Sequence, residues 1–285
     1  MSTLAAKLEN LDRRWIFLLV AVSVIVPFLY PMNLPVRPTK PVKQAFDAVE
    51  ALAGTGKPLL LSYDFEPGGD AELGPVARAL LTHAFARDIP VVVINFMPAG
   101  AGLAENDLKR TAAKFNKVYG KDYIFLGYNP SVLNALLLMG REVRDAFPTD
   151  STGRVLDSYE IMKDVHSYDD FGLVVDISSS IQPEYFIRYA VTRFGAKLVL
   201  GATAVMASDF YPYLQAGQCK GLIGGMKGAA EYERLLLDNN MMARLGDGMR
   251  GMDSQSLAHA VIVLLIVLGN LSFFLGRWKR GGHHG

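Results

Sequence analysis

"PLLLSYDFEPGGDAELGPVARALLTHAFARDIPVVVINF", residues 58–96, sets two apolar runs on either side of a stretch of helical composition. The runs "PLLLSYDF" and "IPVVVINF" are continuous, not alternating, which marks strands covered on both faces. The residues between them read as a helix over Ala71 to Ala86. A strand, a helix and a second strand of this kind build a parallel pair.

The same alternation continues outward. A helix over Leu103 to Val118, the strand "DYIFLGY" and the helical "SVLNALLLMG" complete a first half, residues 58–140. Residues 141–170 interrupt with polar, turn-rich sequence that reads as a solvated excursion. In residues 171–240 the pattern resumes: "FGLVVDI", a helix over Pro183 to Phe194, "AKLVLGA", a helix around Val205 to Leu214, "GLIGG", and a helix over Lys227 to Leu237. The halves share a strand ending in Asp and a later Pro, which reads as an internal duplication. About six parallel strands fall short of the eight that a closed barrel needs. The fold expected is α/β: an open, doubly wound, mostly parallel sheet.

Beyond the domain the composition changes. "WIFLLVAVSVIVPFLY" (15–30) and "LAHAVIVLLIVLGNLSFFL" (257–275) contain no Asp, Glu, Lys or Arg. As helices they would extend about 24 and 28 Å, against a hydrocarbon core of roughly 30 Å. The expectation is two transmembrane helices, 15–30 and 257–276, flanking the domain. A cleaved signal is the other reading of the first run, but "YPMNLPVRP" offers no small-x-small cleavage site. Residues 31–57, with prolines at 31, 35, 38 and 41, read as a stiff spacer followed by a short helix in "VKQAFDAVEALAG". Residues 241–256 read as a juxtamembrane linker. Lys7, Arg13, Arg14, Arg277, Lys279 and Arg280 abut the spans from the terminal sides. Both ends, 1–14 and 277–285, are therefore expected in the cytoplasm, with the central domain outside.

The central region is slightly more acidic than basic and carries no basic block, which excludes a nucleic-acid binder. The lone Cys219 excludes an internal disulfide and a zinc-ligand pattern. Gly100 and Gly102 begin a dinucleotide fingerprint, but Glu105 stands where a small residue is required. "GTGK" at 54–57 precedes a strand and is a turn. No G-x-S-x-G elbow surrounds Ser178, Ser179 and Ser180. His166, in the polar insertion, is the one histidine placed to fold over such a serine, and a solvated loop is the plainer reading of its surroundings.

In an open parallel sheet, ligands bind beyond the carboxyl ends of the strands. Asp64 and Asp176 each end an apolar strand, so their carboxylates can come close enough to share a metal ion or a proton. Glu66, Asp70 and Asn129 would add oxygen atoms, although Asp and Asn also serve as turn and cap residues. A ligand site at the strand ends would draw on Asp64, Glu66, Gly100, Gly102, Asn129, Asp176, Ser178, Thr203 and Lys227. No catalytic residue, cofactor or metal ion is assigned from the sequence.

These observations favour a membrane-anchored interaction or assembly domain, a non-enzymatic scaffold or accessory subunit. The rival is a small-ligand binder or metal-assisted hydrolase built on Asp64 and Asp176. Self-association is expected through Asn270 in the second span and the aromatic "DFYPYL" at 209–214. The bilayer is the other partner expected.

Overall fold

A computed structural model describes residues 12–281; the expected terminal segments 1–14 and 277–285 fall partly outside them. The chain divides into two compact units, Pro35–Met249 and the residues up to Leu34 together with those from Arg250 onward.

The first unit is a six-stranded sheet in the order β3-β2-β1-β4-β5-β6. Its strands are β1 (Leu59–Asp64), β2 (Val91–Asn95), β3 (Tyr123–Tyr128), β4 (Leu173–Ser178), β5 (Leu198–Ala202) and β6 (Gly221–Gly224). Every neighbouring pair is parallel. The chain winds outward from β1 to β3, then returns to lay β4 beside β1 and winds outward the other way. The direction of winding therefore reverses between β1 and β4. Leu59, Leu60 and Leu61 are fully buried although neighbours along a strand face opposite ways. Both faces of the sheet are covered, which is why the strands read as unbroken apolar runs. Burying each such side chain contributes about 1.5–3 kcal/mol.

One face carries the helices α2 (Lys40–Glu50), α3 (Asp70–Ala86), α4 (Ala101–Lys114) and α10 (Gly225–Asp238). Helix α2 packs its Val42, Ala45, Phe46 and Val49 into this core, so it belongs to the domain and not only to the spacer before it. It lies directly on β6: a Cβ at Gly221 would sit 2.4 Å from the Ala45 backbone. The expected end of α4 at Val118 comes at Lys114 instead, because Asn116 turns the chain at a left-handed φ of 54°.

The opposite face carries α5 (Val132–Met139), the short α6 (Val143–Ala146), the sequence after β4, and α9 (Ala204–Gln215). The single helix expected over Pro183–Phe194 is instead α7 (Gln182–Tyr185), a π-helical stretch Phe186–Val191 and a closing turn α8 (Thr192–Phe194). Residues 141–170 do not form a solvated excursion. Short 3₁₀ turns press Leu156, Tyr159, Met162, Val165 and Tyr168 into the core beside Val143 and Phe147. The segment takes the place of a packing helix, and its polar residues occupy the turns between the buried ones.

The second unit holds α1 (Arg13–Leu29) and most of α11 (Asp247–Gly281). Among the described residues, Asp247–Phe274 is the one helix long and apolar enough to cross a membrane. Two such helices were expected. Helix α1 is apolar but has 17 residues, since the chain leaves the helix before Pro31. Helix α11 begins at Asp247, within the stretch read as a linker, and continues unbroken through the apolar run. In α11, Ser254, Ala258 and Ser272 are buried and Val261, Leu265 and Leu268 half-buried, a stripe at alternating spacings of four and three. In α1 the corresponding residues are Ile16, Val20, Ser23 and Pro27. The Asp253 carboxylate accepts the backbone N–H groups of Asn33 at 2.9 Å and Leu34 at 3.1 Å, tying the chain just after α1 to the first turns of α11.

Candidate functional site

The reversal point between β1 and β4 brings together the two carboxyl groups singled out in the sequence. Ser62 lies opposite Asp176 and Asp64 opposite Ser178. Side chains two apart share a face of a strand, so these four form one polar patch on the face covered by Phe186 and the residues after β4. All four are fully buried.

Asp64 is well supplied with donors. The Ser62 hydroxyl donates to one oxygen at 2.5 Å and the Phe96 backbone N–H to the other at 2.6 Å. Among the described residues neither oxygen of Asp176 has a hydrogen-bond partner; the charge that acts on it is that of Asp64. Burial pushes the Asp64 carboxyl up to about 6, against the lowering effect of Ser62, Phe96 and Asp176. Burial first, then the charge of Asp64, push Asp176 well above the usual carboxylate range. The two carboxyls therefore titrate as a pair, and both are raised, Asp176 the more strongly.

Around the pair, Ser178 Oγ donates to Gln182 Oε1 at 3.1 Å and accepts the Ser180 N–H at 3.0 Å. Gln182 Nε2 in turn meets Met97 Sδ at 3.3 Å. On the other face, Asn95 donates to the Tyr63 carbonyl, while its own Oδ1 has no partner. Tyr63 is fully buried and donates its hydroxyl to Asp107 at 2.5 Å; Arg78 joins the same carboxylate at 3.0 Å. Gly100 is required where α4 begins, because a Cβ there would lie 2.3 Å from the Phe65 carbonyl oxygen.

The remaining residues nominated from the sequence do not join this patch. Glu66 is exposed, ahead of the Pro67–Gly69 turn. Asp70 pairs with Arg78 at 3.4 Å. Asn129 donates to the Ala146 carbonyl and accepts the Ser131 N–H, a turn role. Thr203 caps α9 through the Met206 N–H. Lys227 pairs with Glu231, which also accepts the N–H and hydroxyl of Thr39. Gly102 lines a separate cavity of about 430 Å³ beyond β3, with Glu105, Tyr128, Thr149, Asp150 and Ser151. His166 lies against Glu142 at 3.1 Å. Among the described residues, no three His, Cys, Asp or Glu side chains converge in a way that could hold a metal ion.

Sequence reading passed over Ser62, Asn95 and the Phe96 amide. Ser62 had a signal, a hydroxyl two residues before Asp64 in an otherwise apolar strand; the backbone amide had none. It also passed over His83, whose ring bridges Tyr232 and Glu50 at 2.7 Å each and stacks on Phe46. Burial lowers the His83 pKa, so the bridge is made by a neutral ring. No protein-family model matches this chain, nor does any curated protein or any solved structure.

Proposed function

We propose that this chain is a membrane-anchored α/β interaction domain, a non-enzymatic scaffold or accessory subunit that assembles with copies of itself. The observation that carries the reading is Asn270. It is exposed, two residues from Leu268 and from Ser272 on the buried stripe of α11. At ~100° per residue that places it on the opposite side of the helix. An amide turned toward hydrocarbon is costly until a neighbouring helix satisfies it, and its place away from the buried stripe leaves it for another chain.

Two further arguments support the same reading. Five of the polar side chains nominated at the strand ends are engaged inside the domain: Asp64, Ser178, Asn129, Thr203 and Lys227 each hold a hydrogen bond or ion pair that serves the fold. The tie from Asp253 to Asn33 and Leu34 favours α1 and α11 running as an antiparallel pair, with two spans and both chain ends on one side. We place those ends in the cytoplasm and the domain outside, from the basic residues that flank the spans. Tyr211, exposed on α9, supplies a second surface for assembly.

Mass photometry of the full chain in nanodiscs tests the assembly. Multiples of the chain mass are expected, and Asn270→Leu should shift them toward the single chain. A monomer for the wild type over a wide concentration range would refute the proposal.

The rival, a small-ligand binder, has one observation behind it: the cavity of about 430 Å³ at Gly102 lies within the range of ligand pockets.

A further inference from the structure

A second cavity, of about 480 Å³, opens at the opposite edge of the sheet, where the strands begin. Its floor is formed by the amino ends of β1, β4, β5 and β6. Lys57 stands just before β1, Lys197 just before β5 and Lys220 just before β6. Between the first and second of these, β4 is preceded by Gly172, where a Cβ would come within 2.8 Å of Leu52 Cγ. The missing side chain lets Leu52 pack onto the backbone at this point, between the lysines. The wall opposite is the C-terminal end of α2 and the turn after it, and Ala48, Ala51, Leu52 and Leu173 make it partly apolar.

The charges do not balance inside this cavity. Lys57 gives one hydrogen bond to the Asp169 carbonyl at 2.7 Å. Lys197 and Lys220 have no carboxylate partner among the described residues. Asp47 is the single acidic residue lining the space. Lysines do gather at helix C-termini to meet free carbonyls. That explanation fails here, because among the described residues none of the three lysines donates to a carbonyl of α2 or of the turn after it; the bond Lys57 makes goes to Asp169.

We propose that this cavity binds a phosphate-bearing molecule with a small apolar body, its phosphate held by Lys57, Lys197 and Lys220. The inference is independent of the assembly reading. Three ammonium groups are rotatable point charges with spare donors, and they suit the several oxygens of a doubly charged phosphate. A carboxylate ligand would favour the planar fork of arginine, and no arginine lines the cavity. The apolar wall sits where the rest of the ligand would lie. The volume falls within the roughly 300–1,000 Å³ of small-molecule sites. A soluble phosphate ester and the headgroup of an anionic lipid present the same chemistry to these lysines.

The test uses the full chain in phosphatidylcholine nanodiscs, titrated calorimetrically with phenyl phosphate, inorganic phosphate and dioctanoyl phosphatidate. Phenyl phosphate should bind more tightly than inorganic phosphate, since only the first reaches the apolar wall. The double substitution Lys197→Gln and Lys220→Gln should weaken binding about tenfold or more, as expected for losing charged hydrogen bonds. Asp47→Asn should tighten binding, a change that a misfolded variant cannot produce. Phosphatidate binding tenfold better than phenyl phosphate would assign the lipid headgroup as the source, and equal or weaker binding a soluble ester. No saturable binding of either organic phosphate up to about 10 mM, at the weak limit of the affinity scale, or unchanged affinity in the lysine variant, would overturn the proposal.

Discussion

Replacing Asp176 with Asn should flatten the dependence of domain stability on pH above pH 6. In the folded chain Asp176 keeps its proton because it is buried beside the charged Asp64, whereas in the unfolded chain it ionises near pH ~3.9. A folded pKa raised in this way contributes stability that is complete below the unfolded value and is lost as pH climbs to the folded one. The loss is about 1.4 kcal/mol per pH unit for each proton held only by the folded state. Asp64 stops contributing near its own pKa of about 6, so the slope above that point isolates Asp176. For each pH unit above 6 over which the folded chain alone keeps this proton, the loss is about 3–6 °C in Tm, at 2–4 °C per kcal/mol for a domain of this size. Asn has no proton to lose, and it carries an amide donor where Asp176 has none. At pH 6 the variant should therefore lie within about 1 kcal/mol of the wild type. Thermal unfolding of the full chain, followed by circular dichroism at intervals from pH 6 to pH 8, measures both curves. Glu233 titrates in the same window in both proteins, so the comparison rests on their difference. Parallel curves would refute the raised pKa of Asp176.

Glu233 accepts the N–H groups of Gly248 at 3.0 Å and Met249 at 2.8 Å at the start of α11, and burial pushes it up to about 7. With the same sign, the wild type should lose about 3 kcal/mol as pH rises from the unfolded value to the folded one, and Glu233→Gln should not; equal slopes in the two unfolding series would count against it. Gly221→Ala should cost about 1–3 kcal/mol by forcing α2 away from β6, seen as a lower denaturation midpoint, and an unchanged midpoint would show that α2 yields freely.

The six strands were legible because each is a short, mostly apolar run covered on both faces. That Asp64 and Asp176 belong to neighbouring strands follows from parallel winding, but their level does not: Asp64 ends β1, whereas Asp176 lies two residues inside β4, opposite Ser62. Their complete burial was not legible. It depends on Phe96 and Phe186, which pack at 6.2 Å and come from different parts of the chain. Residues 141–170 were misread for want of a period: Leu156, Tyr159, Met162, Val165 and Tyr168 step by threes along 3₁₀ turns, matching neither strand nor helix spacing over enough length to register. The π-helical stretch after β4 left no mark either, since its side chains are those of an ordinary amphipathic helix. Three lysines some 160 residues apart, as Lys57 and Lys220 are, become neighbours only when the strand order is known.

The hydrogen bonds from Asn33 and Leu34 to Asp253 join residues 220 and 219 positions apart. Synthesis supplies the first partners long before the last. At ~5–20 residues per second the interval is about 10–40 s, of which the 29 residues from the end of β6 to Asp253 take about 1.5–6 s. Helix α1 is made before the sheet, and the carboxylate that fastens the segment behind it is made after β6 and α10. With the sheet unfolded, closing so long a loop carries its full entropic penalty. A folded sheet between the two ends shortens the flexible loop that the tie has to close.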